Sequence, residues 1–146
     1  MSSSTEDNSK CAMGKVCVPC STMDSSHLLS NDEVQKQLSE SLPLWSMRTE
    51  EEGGKTHIFR KFTARNFQSA LDCLNAMGTV AEREQHHPDF HLTNYRDVEI
   101  TMWTHSIGGI TVNDLALANV LDNEVKINYS PKWLKAHPEA RNTSTN

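Results

Sequence analysis

The chain has 146 residues, 36% of them hydrophobic, and a formal charge of −5, which is enough for one domain with one core of ordinary size. The acidic balance argues against a nucleic-acid footprint, normally a basic patch or stripe, and no apolar run reaches the roughly 18 residues of a membrane span. The start MSSSTEDNSK has no basic region followed by an apolar one, so no secretory signal is read there. With Glu6, Asp7 and no arginine it is also a poor transit peptide. The composition fits a soluble cytoplasmic protein, with an organellar, plant-type location as the alternative.

Residues 1–28 are rich in Ser, Thr and charge, with little periodicity, and read as a disordered tail. The tail holds three of the four cysteines, Cys11, Cys17 and Cys20. Cys17 and Cys20 form a CxxC, but no strand precedes it and no second ligand pair stands at zinc spacing, so it reads as free thiols. A domain is expected over residues 29–127. Ser30 and Glu33 form a capping-box pattern at a helix start, with Val34, Leu38 and Leu42 as a narrow apolar stripe. Pro43 should end that helix.

Leu44 to Thr49 reads as a strand with Trp45 and Met47 on one face. Gly53 and Gly54 supply a hairpin turn, and Thr56 to Phe62 returns, with Ile58 and Phe62 sharing a face. Thr63 is the expected cap of a long helix running to about Arg83. Phe67, Ala70, Leu71, Leu74, Met77 and Ala81 form its apolar face, and Cys73 falls on the same side as a core residue. A second hairpin is expected over Phe90 to Tyr95 and Asp97 to Thr104, where Val98, Ile100 and Met102 alternate with polar residues and Trp103. Thr111 caps the last helix, to about Ile127, with Leu115, Ala118, Leu121 and Val125 inward. Residues 128–146 read as a loosely ordered C-terminal tail with Trp133 as its anchor. The order is α-β-β-α-β-β-α. It predicts a two-layer α+β domain, a four-stranded antiparallel sheet with helices packed on one face.

Four of the seven histidines lie between Glu82 and Ser106. His86 and His87 are adjacent, Pro88 follows, and His105 ends the strand-like run. Imidazole gives and takes protons near neutrality, so histidines around one pocket suit proton transfer. A metal site is disfavoured: Pro88 breaks the helix that would put His87 and His91 on one face, and there is no HExxH. Glu82, in the last turn of a helix, is unfavourably placed for the dipole, which a role in holding the His86 imidazole would explain. Each residue also has a plainer reading. Glu82 is then a solvated acid, the histidine pair is polar helix-end surface, His105 is a strand-end residue, and Asp114 is the third helical residue after the Thr111 cap, where an acid is stabilising. His57 and His137 have no identifiable partner. From the residues alone the reading stops at a metal-free acid–base enzyme.

The spacing carries more. Glu82, three residues, His86-His87-Pro88, six residues, Tyr95, nine residues, His105, eight residues, Asp114 resembles the motif of the pterin-4a-carbinolamine dehydratases at every defined position. The similarity extends from about Leu29 to Val125, and KVCVPC at 15–20 resembles the tail of many bacterial and plant-type members. The resemblance implies dehydration of a 4a-hydroxytetrahydropterin to quinonoid dihydropterin and water, with no metal or organic cofactor, recycling a tetrahydropterin. It implies His86, His87 and His105 as active-site histidines, with His86 and His105 as the proton-transfer pair and His87 orienting the substrate. Glu82 is implied as the supporting acid. Gln85, Trp103, Thr104 and Ser106, with the three histidines, would line the pterin. Gln85 stands where several members have an acid, and Trp103 is bulky where vertebrate members have a small residue. The family also implies a homodimer or homotetramer, no nucleic-acid or membrane partner, and, as the rival reading, a non-catalytic dimerisation or assembly cofactor on the same fold.

Overall fold

The computed structural model describes residues 23–142. Its first helix, α1, spans Asn31–Ser41. Ser30 Oγ accepts from the Glu33 N–H at 3.1 Å and Glu33 Oε1 accepts from the Ser30 N–H at 2.9 Å, which completes the expected capping box. Val34 and Leu38 are its buried face, and Pro43 follows its end.

Strands β1 (Ser46–Thr49) and β2 (Thr56–Thr63) pair antiparallel, with Met47 opposite Ile58. Gly53 and Gly54 turn the hairpin at φ +83 and +63, where a side chain would be strained. Helix α2 spans Phe67–Glu84, β3 Asp89–Thr93 and β4 Asp97–Met102, and helix α3 Val112–Glu124. The sheet order is β1-β2-β4-β3, all antiparallel, with Phe62 opposite Val98 and Phe90 opposite Ile100. The expected α+β architecture is therefore the observed one. One sheet face is buried: Ile58 and Phe62 of β2 and Val98, Ile100 and Met102 of β4 meet Ala70, Cys73 and Met77 of α2 and Leu117, Ala118 and Leu121 of α3. Each large side chain so buried contributes about 1.5–3 kcal/mol. The other face is an open groove lined by Arg48, His57, Lys61, Asp97, Glu99 and Thr101.

Several boundaries differ from expectation. Thr63 is not a helix cap. It ends β2, opposite Asp97, and its hydroxyl donates to the Asp97 carboxylate at 2.9 Å. The cap of α2 is Asn66, whose side chain accepts from Ser69 N at 2.8 Å. Phe67, the first helical residue, is exposed rather than inward. Residues 23–28, expected in the N-terminal tail, hold a 3-10 turn at Ser25–His27 capped by Asp24. Met23 is buried, and Leu29 N–H donates to Ile110 O at 2.9 Å.

The C-terminal stretch is docked rather than loose. Helix α4 spans Pro131–Ala136 and a 3-10 turn Pro138–Asn142. Tyr129 bridges Ala64, and the Ser130 N–H donates to Thr63 O at 2.9 Å. Tyr129, Trp133 and His137 stack in succession, at 5.1 and 4.1 Å between ring centroids. His137 thus has the partner that the sequence did not reveal, and its Nδ1–H donates to Trp133 O at 2.9 Å. The tail cysteines Cys11, Cys17 and Cys20 lie outside the described residues. Cys73 is buried, and burial pushes its thiol up to about 12, which keeps it unreactive.

Candidate active site

The site begins with how α2 ends. Gln85 adopts the left-handed conformation, φ 57 and ψ 39. The Gln85 N–H donates to Glu82 O and the His86 N–H to Ala81 O, both at 3.2 Å. This pair of bonds is a Schellman ending, which satisfies carbonyls that the helix would leave orphaned. The reversal turns His86 inward, 4% exposed, and leaves His87 outward. Pro88 then holds the chain extended into β3.

Inside, His86 meets α3. Its Nε2 lies 2.6 Å from Asp114 Oδ1. Asp114 is itself fully buried, and its Oδ2 accepts from the Thr104 hydroxyl and from the Thr111 N–H, each at 2.9 Å. Thr104 Oγ1 and Thr111 Oγ1 are 2.8 Å apart. The two oxygens are thus held by His86, Thr104 and the Thr111 N–H together. Asp114 does close the capping box with Thr111, as the plain reading of the sequence had it. The same carboxylate also fixes an imidazole.

Glu82 does something other than expected. It lies beside His87, not His86, with Oε1 at 2.9 Å from the His87 Nε2. Both side chains are exposed, 80% and 61%, so this contact orients loosely, whereas the His86–Asp114 contact is fixed by burial. The cause is the left-handed residue between them: a continuing helix would have stacked His86 over Glu82.

Thr104 forms an isolated bridge with Gly109, its N–H donating to Gly109 O at 2.7 Å. The intervening turn carries His105 and Ser106, both exposed, and reverses through Gly108 at φ +71. His105 meets the half-buried Trp103 edge-on, ring centroids 4.5 Å apart. Lys55 Nζ lies 5.0 Å from the Trp103 ring. Thr104 is therefore the joint: its hydroxyl sits on the carboxylate that holds His86, and its neighbours in sequence are Trp103 and His105. Gln85 and Ser106 are exposed turn residues next to His86 and His105. Tyr95, the motif aromatic, is half exposed in the β3–β4 turn at the far end of the strands. Among the described residues no group of three or more His, Cys, Asp or Glu is arranged to hold a metal ion, and no helix is long and apolar enough to cross a membrane.

Asp114 as the partner of His86 is what residue-by-residue reading missed. The signal was its place in the spaced motif with the histidines, beside the capping role that it also fills. His57, unassigned in the sequence, is buried on the open sheet face and accepts from Arg48 Nε at 3.0 Å. Burial, then the Arg48 charge, hold its pKa below the ordinary imidazole value.

Comparison with known proteins points one way. The sequence model described as pterin 4 alpha carbinolamine dehydratase matches residues 27–124. A Chlorobaculum tepidum protein bearing the same family name is 43% identical over 104 residues, which are 71% of this chain and 88% of that protein. The Arabidopsis thaliana pterin-4-alpha-carbinolamine dehydratase 2, mitochondrial, is 34% identical over 113 residues, 77% of this chain and 58% of that protein. A Brucella melitensis crystal structure, described as a transcriptional coactivator/pterin dehydratase, aligns with TM-score 0.54 at 26% identity, covering 65% of this chain and 95% of that one.

Proposed function

This chain belongs to the pterin 4 alpha carbinolamine dehydratase family, and from that premise we propose that it converts a 4a-hydroxytetrahydropterin to quinonoid dihydropterin and water by histidine acid–base catalysis, so recycling the tetrahydropterin. The observation that carries the reading is the buried His86–Asp114 contact at 2.6 Å, one residue from exposed His87 and joined through Thr104 to exposed His105.

The reaction breaks the C4a–O bond and the N5–H bond and forms a C4a=N5 double bond. Hydroxide is a poor leaving group, so an acid delivers a proton to the 4a oxygen while a base takes the proton from N5. Each positioned group typically contributes about 100- to 10,000-fold. His86 and His105 form the proton-transfer pair. Asp114 fixes the tautomer and orientation of His86, as a carboxylate behind an imidazole does in other acid–base sites. His87, held by Glu82, orients the pterin, and Gln85, Trp103 and Ser106 line it; Thr104, expected in that lining, is fully buried and instead supports Asp114 from behind. None of these steps calls on a metal or an organic cofactor.

The test is the rate of quinonoid dihydropterin formation from freshly made 4a-hydroxytetrahydropterin, with EDTA present, for wild type, His86→Ala and His105→Ala. Fast wild-type turnover that either variant loses supports the reading; a rate no faster than the spontaneous reaction refutes it. The description of the Brucella protein also as a coactivator favours one rival, a binding or dimerisation cofactor. A transcription-factor partner in a pulldown, together with no dehydratase activity, would establish that rival instead. A cytoplasmic homodimer or homotetramer completes the proposal; light scattering checks the assembly. Fractionation checks the location, with the mitochondrion as the alternative that the Arabidopsis name raises.

A further inference from the structure

The last turn of α2 grips α3 at both ends. Arg83 uses three of its N–H groups: Nε donates to Glu84 Oε2 at 2.9 Å, and Nη1 and Nη2 donate to the two oxygens of Glu124, each at 3.0 Å. Glu84 is buried. Glu124 is the final residue of α3, while Asp114 sits in its first turn. Ten residues of helix separate those acids by about 15 Å. Residues 83 and 86 reach them both, across the Schellman turn whose backbone the Gln85 and His86 N–H groups fix.

We propose that Arg83 is a positioning residue for His86: by bridging Glu84 to Glu124 it sets how the end of α2 lies on α3, and so how the His86 imidazole meets Asp114. The inference deepens the dehydratase reading, and its kinetic part rests on that reading. An exposed ion pair by itself contributes little to stability, and Arg83 is 39% exposed. What Arg83 supplies is direction. Two parallel bonds from a planar fork fix the angle between partners, and a third bond to a buried carboxylate anchors the fork from behind. The Arg83 hydrogen bond also holds the Glu124 carboxyl below its ordinary value. Between the fork and the imidazole, the turn leaves little play: Gln85 is confined to the left-handed region, and both of its flanking amides are bonded.

The experiment uses the full chain with Arg83→Gln, Arg83→Lys and Glu124→Gln. It reads kcat and KM for carbinolamine dehydration, and separately the ring 15N shifts of His86. Misalignment of a reacting group by a fraction of an ångström lowers turnover without abolishing binding. Arg83→Gln and Glu124→Gln should each lower kcat about tenfold, with KM changed less than about twofold. Arg83→Lys, which keeps charge and loses the fork, should fall between. The His86 ring shifts should move in both glutamine variants, and Arg83→Gln should cost nothing further in the His86→Ala background. Unchanged His86 shifts in both glutamine variants would overturn the proposal, as would an equal loss with and without His86. If wild type shows no dehydratase activity, the functional reading fails on its own, and the His86 shifts still decide the role of Arg83.

Discussion

Two buried aspartates on α3, two helical turns apart, are held at similar distances by different kinds of partner. Asp122 accepts from Arg60 Nη1 at 2.7 Å and from the Trp45 indole N–H at 3.0 Å. Asp114 accepts from His86 at 2.6 Å and from Thr104 and Thr111. The difference is the partner. A guanidinium never gives up its proton, so the Arg60–Asp122 pair is a fixed joint. It ties β2 to α3 and, through the Arg60 contact with the Tyr129 hydroxyl, to the C-terminal segment. Burial pushes the Asp122 carboxyl up against the opposing pull of Arg60, so the pair is a costly joint too. An imidazole titrates near neutrality. On the proposed reading, the same carboxylate geometry around His86 serves to orient a proton-transfer group. It also lies where α2 ends and a turn begins, next in sequence to exposed His87 and linked through Thr104 to the turn that carries His105, while Asp122 lies where the sheet, α3 and the C-terminal stretch close over it.

Substitution at either aspartate or its partner should separate the two roles. The largest expected effect comes from removing the imidazole: His86→Ala should lower kcat/KM by about 100- to 10,000-fold, with the protein still folded by circular dichroism. Next, Asp122→Asn should unpair buried Arg60 and cost about 3–5 kcal/mol of stability, read as a melting temperature lowered by roughly 10–20 °C. Activity per folded molecule should be nearly unchanged at low temperature. Replacing both partners, Arg60→Met with Asp122→Leu, should recover much of that loss, because apolar residues of similar size remove the desolvation cost. Asp114→Asn should reverse the pattern, lowering kcat about 100-fold through a misdirected imidazole with the smaller loss of stability. Gln85→Gly should stabilise by about 1 kcal/mol, since glycine occupies the left-handed region without steric cost, and denaturant unfolding would show it.

The smallest effect is a pH dependence on the open sheet face. The folded-state pKa of His57 is depressed below 6.5, so as pH falls through 6.5 the unfolded chain takes up a proton that the folded one resists. Stability should therefore fall below about pH 6.5, and His57→Gln should flatten that limb in pH-dependent urea titrations.

The hairpins, the two long helices and the open face were legible because each rests on local chemistry: alternation in β4, capping boxes at Ser30 and Thr111, glycines at 53 and 54. The spaced motif marked His86, His87 and His105, and the structure gives each a different partner: Asp114, Glu82 and Trp103. What sequence could not give was the left-handed Gln85. Glutamine carries no conformational mark there, yet that one residue exchanges the partners of Glu82 and turns His86 toward Asp114. The docking of residues 128–142 was hidden for a related reason. Arg60 alternates onto the core face between Ile58 and Phe62, where a charge reads as an exception. Its partners Asp122 and Tyr129, 62 and 69 residues away, come together only in the fold.

The most direct test sets the two aspartates side by side: the rate of carbinolamine dehydration by wild type, Asp114→Asn and Asp122→Asn, each corrected for its folded fraction at one temperature. The expected result is strong acceleration by wild type, nearly the same rate per folded molecule for Asp122→Asn, and about a 100-fold lower kcat for Asp114→Asn. Equal rates for the two variants, or a wild-type rate no faster than the spontaneous reaction, would contradict it.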